Sequence, residues 1–204
     1  MSRYLLVAEK PSISKSVTEI LSGGQYTTVS SSATLWLCLT ALQRQSPVKW
    51  IKNYDFTYRL ANGREASFTM TAVTGHVTET EFADENLRGW RNCDPYDLFD
   101  AEIKAFVKKD GKGIASNLER EGRNKDVLMI WTDCDREGEH IGTEIADIVK
   151  KVNRGIKVER ARFSAIIPAS VSLPSHFGLT DFAAVRSTKH VVDLSHSIFV
   201  KQQL

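Results

Sequence analysis

Three carboxylates fall within five residues in the run Trp131-Thr132-Asp133-Cys134-Asp135-Arg136-Glu137-Gly138-Glu139. Acids this close repel one another unless something neutralises them. A hard divalent cation does so well, and Mg²⁺ typically takes one or two protein carboxylates and completes its shell with waters and phosphate oxygens. The apolar run Val127-Leu128-Met129-Ile130-Trp131 reads as a buried strand that ends in these acids. If the strand continues through them, alternation puts Asp133 and Asp135 on one side, and Glu137 starts the next helix. A second acid–base pair, Glu9-Lys10, ends a second buried strand over residues 4–8. Open α/β sheets collect ligands at the carboxyl edge of their strands. Glu9 is therefore a fourth carboxylate for the same point, and Lys10 a cation for a phosphate oxygen. A solvated strand-to-helix loop explains a generic Asp-x-Asp-x-Glu about as well. Here the apolar strand leading into the acids, Gly138 allowing close packing and the second pair weigh towards a shared site. Alone, Glu9-Lys10 reads as an exposed turn.

The elements that must position these residues are legible. Pro11 suits the first turn of a helix. Ile13, Val17, Ile20 and Leu21 recur at helical spacing up to Gly23-Gly24. Residues 54–73 read as a hairpin. Tyr54, Phe56, Tyr58 and Leu60 alternate, Asn62-Gly63 supplies a two-residue turn, and Phe68, Met70 and Ala72 alternate again. A loop-rich stretch follows around Trp90, Cys93-Asp94-Pro95 and Leu98-Phe99. A polar helix is expected over 114–123. Ile141, Ile145, Ile148, Val149 and Val152 form a helical stripe, and 158–163 is a final strand. Alternating strands and helices predict an α/β fold, Rossmann-like, with a mostly parallel sheet and helices on both faces. Residues 32–48, with Trp36 and Cys38, fit no element and read as an atypical insertion expected to pack little against the rest.

The chain has 204 residues, enough for one medium domain and the start of another. Its formal net charge of +2 neither demands nor excludes nucleic acid. The three cysteines, Cys38, Cys93 and Cys134, form no Cys-x-x-Cys pair, which argues against a zinc knuckle and a disulfide framework. A reducing compartment fits. Glu9 and Lys10 break the N-terminal apolar run too early for a signal peptide, and no run approaches the roughly 18 apolar residues of a membrane span.

Ala8-Glu9-Lys10-Pro11-Ser12 together with Asp133-Cys134-Asp135-Arg136-Glu137-Gly138-Glu139 resembles the TOPRIM domain of type IA DNA topoisomerases, within them the eukaryotic topoisomerase III group. Further agreement lies in Lys52-Asn53-Tyr54-Asp55-Phe56, Val73-Thr74-Gly75-His76, Leu98-Phe99-Asp100-Ala101, Asn117-Leu118-Glu119-Arg120-Glu121 and Arg160-Ala161-Arg162-Phe163-Ser164. The resemblance covers about residues 1–30 and 50–165, with a weak continuation to about 194. It implies a TOPRIM domain over 1–165, followed over 166–204 by the truncated start of a second, helical domain. It also implies ATP-independent breakage, passage and rejoining of single-stranded DNA through a 5′-phosphotyrosine, with Mg²⁺ as cofactor. By motif, Glu9 is the acid/base and a metal-proximal carboxylate, Asp133 and Asp135 are the principal metal ligands, and Glu137 supports both metal and catalysis. Lys10 and Arg136 face the scissile phosphate and DNA, and His76 lies near the DNA cleft. Read without the resemblance, His76 is a hydrogen-bonded loop histidine. The implied partners are a RecQ-class helicase and a small OB-fold subunit, and the implied location is the nucleus, although no basic localisation run is present.

The sequence also departs from the pattern. Tyr4, Tyr26, Tyr54, Tyr58 and Tyr96 lack the Ser-Tyr-Gly context of the family's nucleophile, which lies in a later domain. Ala165 stands where the family carries a glutamate, and Ser195 where it carries an arginine. The chain therefore reads as a fragment or truncated product that supplies the metal-binding part and is not active alone. Two alternatives stand beside this: a TOPRIM nuclease or primase using the same acids for phosphoryl transfer, and a non-catalytic truncated paralogue that binds DNA or the enzyme's partners. The flanking matches favour the topoisomerase.

Overall fold

The computed structural model describes residues 1–28, 46–60, 63–88, 93–161 and 180–181. In chain order the elements are β1 (Ser2–Ala8), α1 (Pro11–Ser22), β2 (Thr27–Thr28), β3 (Tyr54–Arg59), β4 (Glu65–Ala72), β5 (Thr78–Phe82), α2 (Asp97–Asp100), β6 (Ile103–Val107), α3 (Lys112–Gly122), β7 (Val127–Trp131), α4 (Arg136–Val152), β8 (Lys157–Arg160) and β9 (Thr180–Asp181). One sheet runs in the order β2-β3-β4-β1-β7-β8-β9. Its centre is parallel: β1 pairs with β4 and β7, and β7 with β8. The flanking pairs are antiparallel. This is the mostly parallel, helix-covered sheet that the alternation of elements predicts.

Strand alternation divides the core in two. Leu5, Val7, Leu128, Ile130 and Val158 point to one face, where they meet Ile114 and Leu118 of α3 and Ile141, Ile145, Ile148 and Val149 of α4. Leu6, Ala8, Met129 and Trp131 point to the other, against Ile13, Val17 and Leu21 of α1 and the ring of Phe68. A strand covered on both faces has no polar side to show, which is why β1 and β7 read as continuous apolar runs.

On β4 the face towards α3 is polar but satisfied. Asn117 Nδ2 donates to Asn53 Oδ1 at 3.0 Å and to Thr71 Oγ1 at 3.1 Å. Asn53 Nδ2 donates back to Asn117 Oδ1 at 3.0 Å. Arg120 joins through Nη2 to Asn117 Oδ1 at 2.9 Å and Nε to Glu121 Oε1 at 3.1 Å. Two of the motifs that carry the resemblance thus meet as a buried structural network.

The structure corrects several expectations. The register pairs Arg59 with Glu65, and Leu60 N–H donates to Arg64 O at 2.9 Å, so three residues rather than two lie inside the last hydrogen-bonded pair, Leu60 and Arg64. Gly63, at φ 77°, takes the left-handed position that ends such a turn. The stretch expected to be loop-rich follows β5, which pairs with β6 as an antiparallel ribbon. β5, Thr-Glu-Thr-Glu-Phe, carries no apolar alternation, and β6, Ile-Lys-Ala-Phe-Val, is apolar in composition yet largely exposed. The strand expected over 158–163 is β8, Lys157–Arg160, and a further short strand, β9, follows it in the chain. Val48, the last residue of the stretch read as an insertion, is buried in the core, while Leu35, Trp36 and Leu37 lie outside the described residues. Of 166–204, only Thr180–Asp181 is described, as a strand on the edge of the same sheet. Among the described residues no helix is long and apolar enough to cross a membrane.

Leu128 is fully buried between helices and sheet, whereas Ile103 on the ribbon is partly exposed. Leu128→Ala is expected to cost about 2–5 kcal/mol in urea unfolding, and Ile103→Ala to stay within about 0.5 kcal/mol. Equal losses would contradict the division between core and ribbon.

Candidate active site at the ends of β1 and β7

β1 and β7 are neighbours, and α1 leaves β1 on one face of the sheet while α4 leaves β7 on the other. Adjacent strands whose helices diverge open a crevice at their carboxyl ends, the usual ligand position in such sheets. The pairing Ala8↔Trp131 sets Glu9 beside the start of the acidic loop. Glu9 N–H donates to Trp131 O at 3.1 Å, and Asp133 N–H donates to Glu9 Oε2 at 3.1 Å. The buried Glu9 carboxylate is thereby fixed against the loop that carries Asp133.

Lys10 Nζ lies 3.2 Å from Glu9 Oε1 and 3.8 Å from Asp133 Oδ2. Its ammonium is held above its ordinary pKa, first by the hydrogen bond to Glu9, then by the charges of Glu9 and Asp133, with a smaller contribution from Glu137. Lys10 therefore reports a point where carboxylate oxygens from both strands converge on one positive charge. The donors are hard oxygens, a set suited to Mg²⁺-class cations rather than soft metals.

Asp135 is oriented differently. β7 ends at Trp131, so Asp133 and Asp135 do not alternate along a strand. Asp135 is the N-cap of α4, its Oδ1 accepting Gly138 N–H at 2.7 Å, a position also favoured by the positive end of the helix. Arg136 and Glu137 follow in the exposed first turn. Gly138 allows the loop to fold back onto the helix: a Cβ there would stand 2.1 Å from Asp133 O. Thr132 Oγ1 closes the turn by donating to Gly138 O at 2.7 Å.

Arg160, which sequence reasoning did not single out as a site residue, holds this loop from behind. It is 1% exposed. Nη1 donates to Thr132 O at 2.8 Å and Ala161 O at 3.0 Å, Nη2 to Asp133 O at 2.8 Å, and Nε to Glu139 Oε1 at 3.0 Å. The planar guanidinium matches several carbonyls at once, which a lysine cannot do. The available signal was an arginine ending an otherwise inward-facing strand.

His76 is tied to the same edge through its neighbour, since Gly75 N–H donates to Glu9 O at 3.4 Å. Its Nδ1 lies 3.0 Å from Glu144 Oε1 on α4. The tyrosines lie elsewhere. Tyr4 stacks on Phe68, Tyr58 meets the same ring edge-on, and Tyr26 packs on Tyr54. Burial, the largest cause, raises the pKa of Tyr4 and Tyr54, opposite to what an activated phenolate nucleophile needs. Tyr96 is exposed.

Arg160→Met is expected to lower unfolding stability by about 3–5 kcal/mol despite the similar length and apolar character of Met. It removes the buried partner of a part-buried ion pair and strands the carbonyls of Thr132, Asp133 and Ala161. A loss below about 0.5 kcal/mol in urea titration would show that the loop does not depend on this clamp.

The geometry has counterparts in known sequences. The Toprim domain family model matches residues 4–166. The chain is similar to DNA topoisomerase 3 of Saccharomyces cerevisiae, 43% identical over 169 residues, covering 79% of this chain and 23% of that protein. It is 40% identical over 167 residues to DNA topoisomerase 3-alpha of Arabidopsis thaliana, covering 82% of this chain and 16% of that one. With human DNA topoisomerase 3-alpha it shares 38% over 169 residues, covering 83% and 15%. The chain thus spans less than a quarter of the length of each of these relatives. A central parallel sheet, an acidic pair of strand ends at its switch point and a family match across nearly all of the described core agree: the chain belongs to the Toprim domain family.

Proposed function

We propose that this chain supplies the acidic, Mg²⁺-binding half of a type IA topoisomerase centre of the topoisomerase III kind. The observation that carries the reading is the convergence of Glu9 and Asp133 on one cationic point at the switch of the sheet. Glu9, Asp133, Asp135 and Glu137 would hold the Mg²⁺, which when bound supplies positive charge that positions broken DNA ends for rejoining. Glu9 Oε1 is the acid/base: in cleavage its carboxyl group gives a proton to the departing 3′-oxygen, and in rejoining the carboxylate takes it back. Lys10 and Arg136 donate charge-assisted hydrogen bonds to the phosphate oxygens. His76 borders the path of the single strand. The tyrosine that forms the 5′-phosphotyrosine belongs to another part of the enzyme, because none of the described tyrosines reaches the acids in a reactive setting. Breakage and rejoining need no ATP, because the phosphodiester energy is kept in the tyrosine ester. By the same likeness the proposal extends to DNA recombination and repair in the nucleus, alongside a RecQ-class helicase and a small OB-fold subunit.

Mg²⁺ is expected to raise the thermal midpoint by linkage, about 2.7 kcal/mol of stabilisation at a hundred times its Kd. Asp133→Asn with Asp135→Asn should abolish that rise. A rise that survives the double substitution would place the ion elsewhere.

Incubation of the chain with single-stranded DNA, followed by denaturant trapping, should give no protein–DNA adduct. An adduct that disappears on changing one of Tyr4, Tyr26, Tyr54, Tyr58 or Tyr96 to Phe would show that this chain carries its own nucleophile.

A further inference from the structure

A second group of ligating side chains lies on α4, one helical turn and more beyond the acids. His140 and Glu144 are four residues apart and so share a face of that helix. The loop after β4 brings His76 against them. The ligand atoms of His76, His140 and Glu144 all lie within 4.8 Å of one another. His76 Nδ1 is 3.0 Å and His140 Nε2 3.7 Å from the same oxygen, Glu144 Oε1. The two rings stand edge to face, with centroids 4.8 Å apart.

We propose that His76, His140 and Glu144 form a binding site for a transition-metal dication of the Zn²⁺ class, separate from the acidic loop. Zinc bonds to imidazole nitrogen and carboxylate oxygen are about 2.0–2.2 Å long, which puts neighbouring ligands of a tetrahedron about 3.4 Å apart. The two imidazole–carboxylate separations, 3.0 and 3.7 Å, lie on either side of that value, and the whole set lies within 4.8 Å, so the side chains would draw together on the ion. The ligand types point the same way: two imidazoles and one carboxylate suit zinc, copper or nickel, whereas the all-oxygen acidic loop suits Mg²⁺.

The surroundings are arranged as a ligand's support would be. Glu144 is buried, and its other oxygen, Oε2, accepts Val77 N–H at 2.9 Å and Thr78 N–H at 3.3 Å. Those two amides fix the carboxylate so that Oε1 faces the rings, the role that backbone partners play behind metal ligands. Both histidines are 29% exposed, which leaves an approach from water and a position for a fourth ligand. With an ion on Nδ1, the neutral His76 ring carries its proton on Nε2. A spacing of four residues on a helix is also the way two zinc ligands are commonly presented.

The test is Co²⁺ titration of the untagged, chelator-treated full chain, followed by optical absorption. The expected result is one equivalent that develops the intense visible bands of a tetrahedral nitrogen–oxygen site with no thiolate charge-transfer band, any Co²⁺ on the all-oxygen acidic loop being octahedral and only weakly coloured. Zn²⁺ should bleach these bands, and excess Mg²⁺ should not. His76→Ala and His140→Gln should each lose them, with the fold checked by circular dichroism. Asp133→Asn with Asp135→Asn should keep them. Should His76→Ala unfold, His140→Gln at its partly exposed helical position decides alone. Absence of a tetrahedral spectrum, bands that persist in the histidine variants, or bands lost only in the aspartate variant would overturn the proposal. In each of those cases Glu144 serves only to hold the Gly75-His76 loop, through His76 and the amides of Val77 and Thr78. The Mg²⁺ thermal shift remains a separate readout of the acidic loop.

Discussion

Carboxylates that face one point cannot be held together without countercharge, and this chain meets that constraint from two sides. In front, Lys10 places its ammonium between Glu9 Oε1 and Asp133 Oδ2. Behind, Arg160 is buried beneath the loop and binds its carbonyls together with the Glu139 carboxylate. The two cations act differently. Arg160 is removed from water and rigid, so it sets the shape of the loop. Lys10 is exposed and screened by solvent, so its charge can give way to a metal or turn to a phosphate. The acidic loop is thus fixed in its backbone and adjustable in its electrostatics.

That arrangement depends on the order of strands. β1 and β7 are about 120 residues apart in the chain yet adjacent in the sheet, and their helices depart on opposite faces. Only then can Glu9 and Asp133 share a hydrogen bond. The polar seam between β4 and α3 steadies the neighbouring strand by a different means, with every group of Asn53 and Asn117 directed at a specific partner. Residues that carry the family likeness therefore do two kinds of work. Some approach the acids, and others, such as Asn53 and Asn117, keep the sheet and helix in register.

α4 links the features of the functional edge. Its N-cap is Asp135, its first turn presents Arg136 and Glu137, Glu139 meets Arg160, and Glu144 receives His76. A single rigid helix thus ties the acidic loop to the Gly75-His76 loop after β4.

The sequence determined the elements of the sheet centre and the existence of the acidic loop. Local rules suffice for these: a strand buried on both faces must be continuously apolar, a core-facing helix must repeat its apolar positions, and clustered acids stand out wherever they fall. It was silent where the signal was not apolar. β5 and β6 form a two-stranded ribbon with little buried surface, so no alternation marked them. Only the tertiary structure decided which acids meet. The sequence suggested that Asp133 and Asp135 share a strand face, but β7 stops two residues earlier and the N-terminus of α4 captures Asp135. The clamp by Arg160 and the meeting of His76 with His140 and Glu144 were equally unreadable in one dimension. Each joins segments that are distant in the chain, and pairing at that range follows from strand order and packing rather than from the spacing of residues.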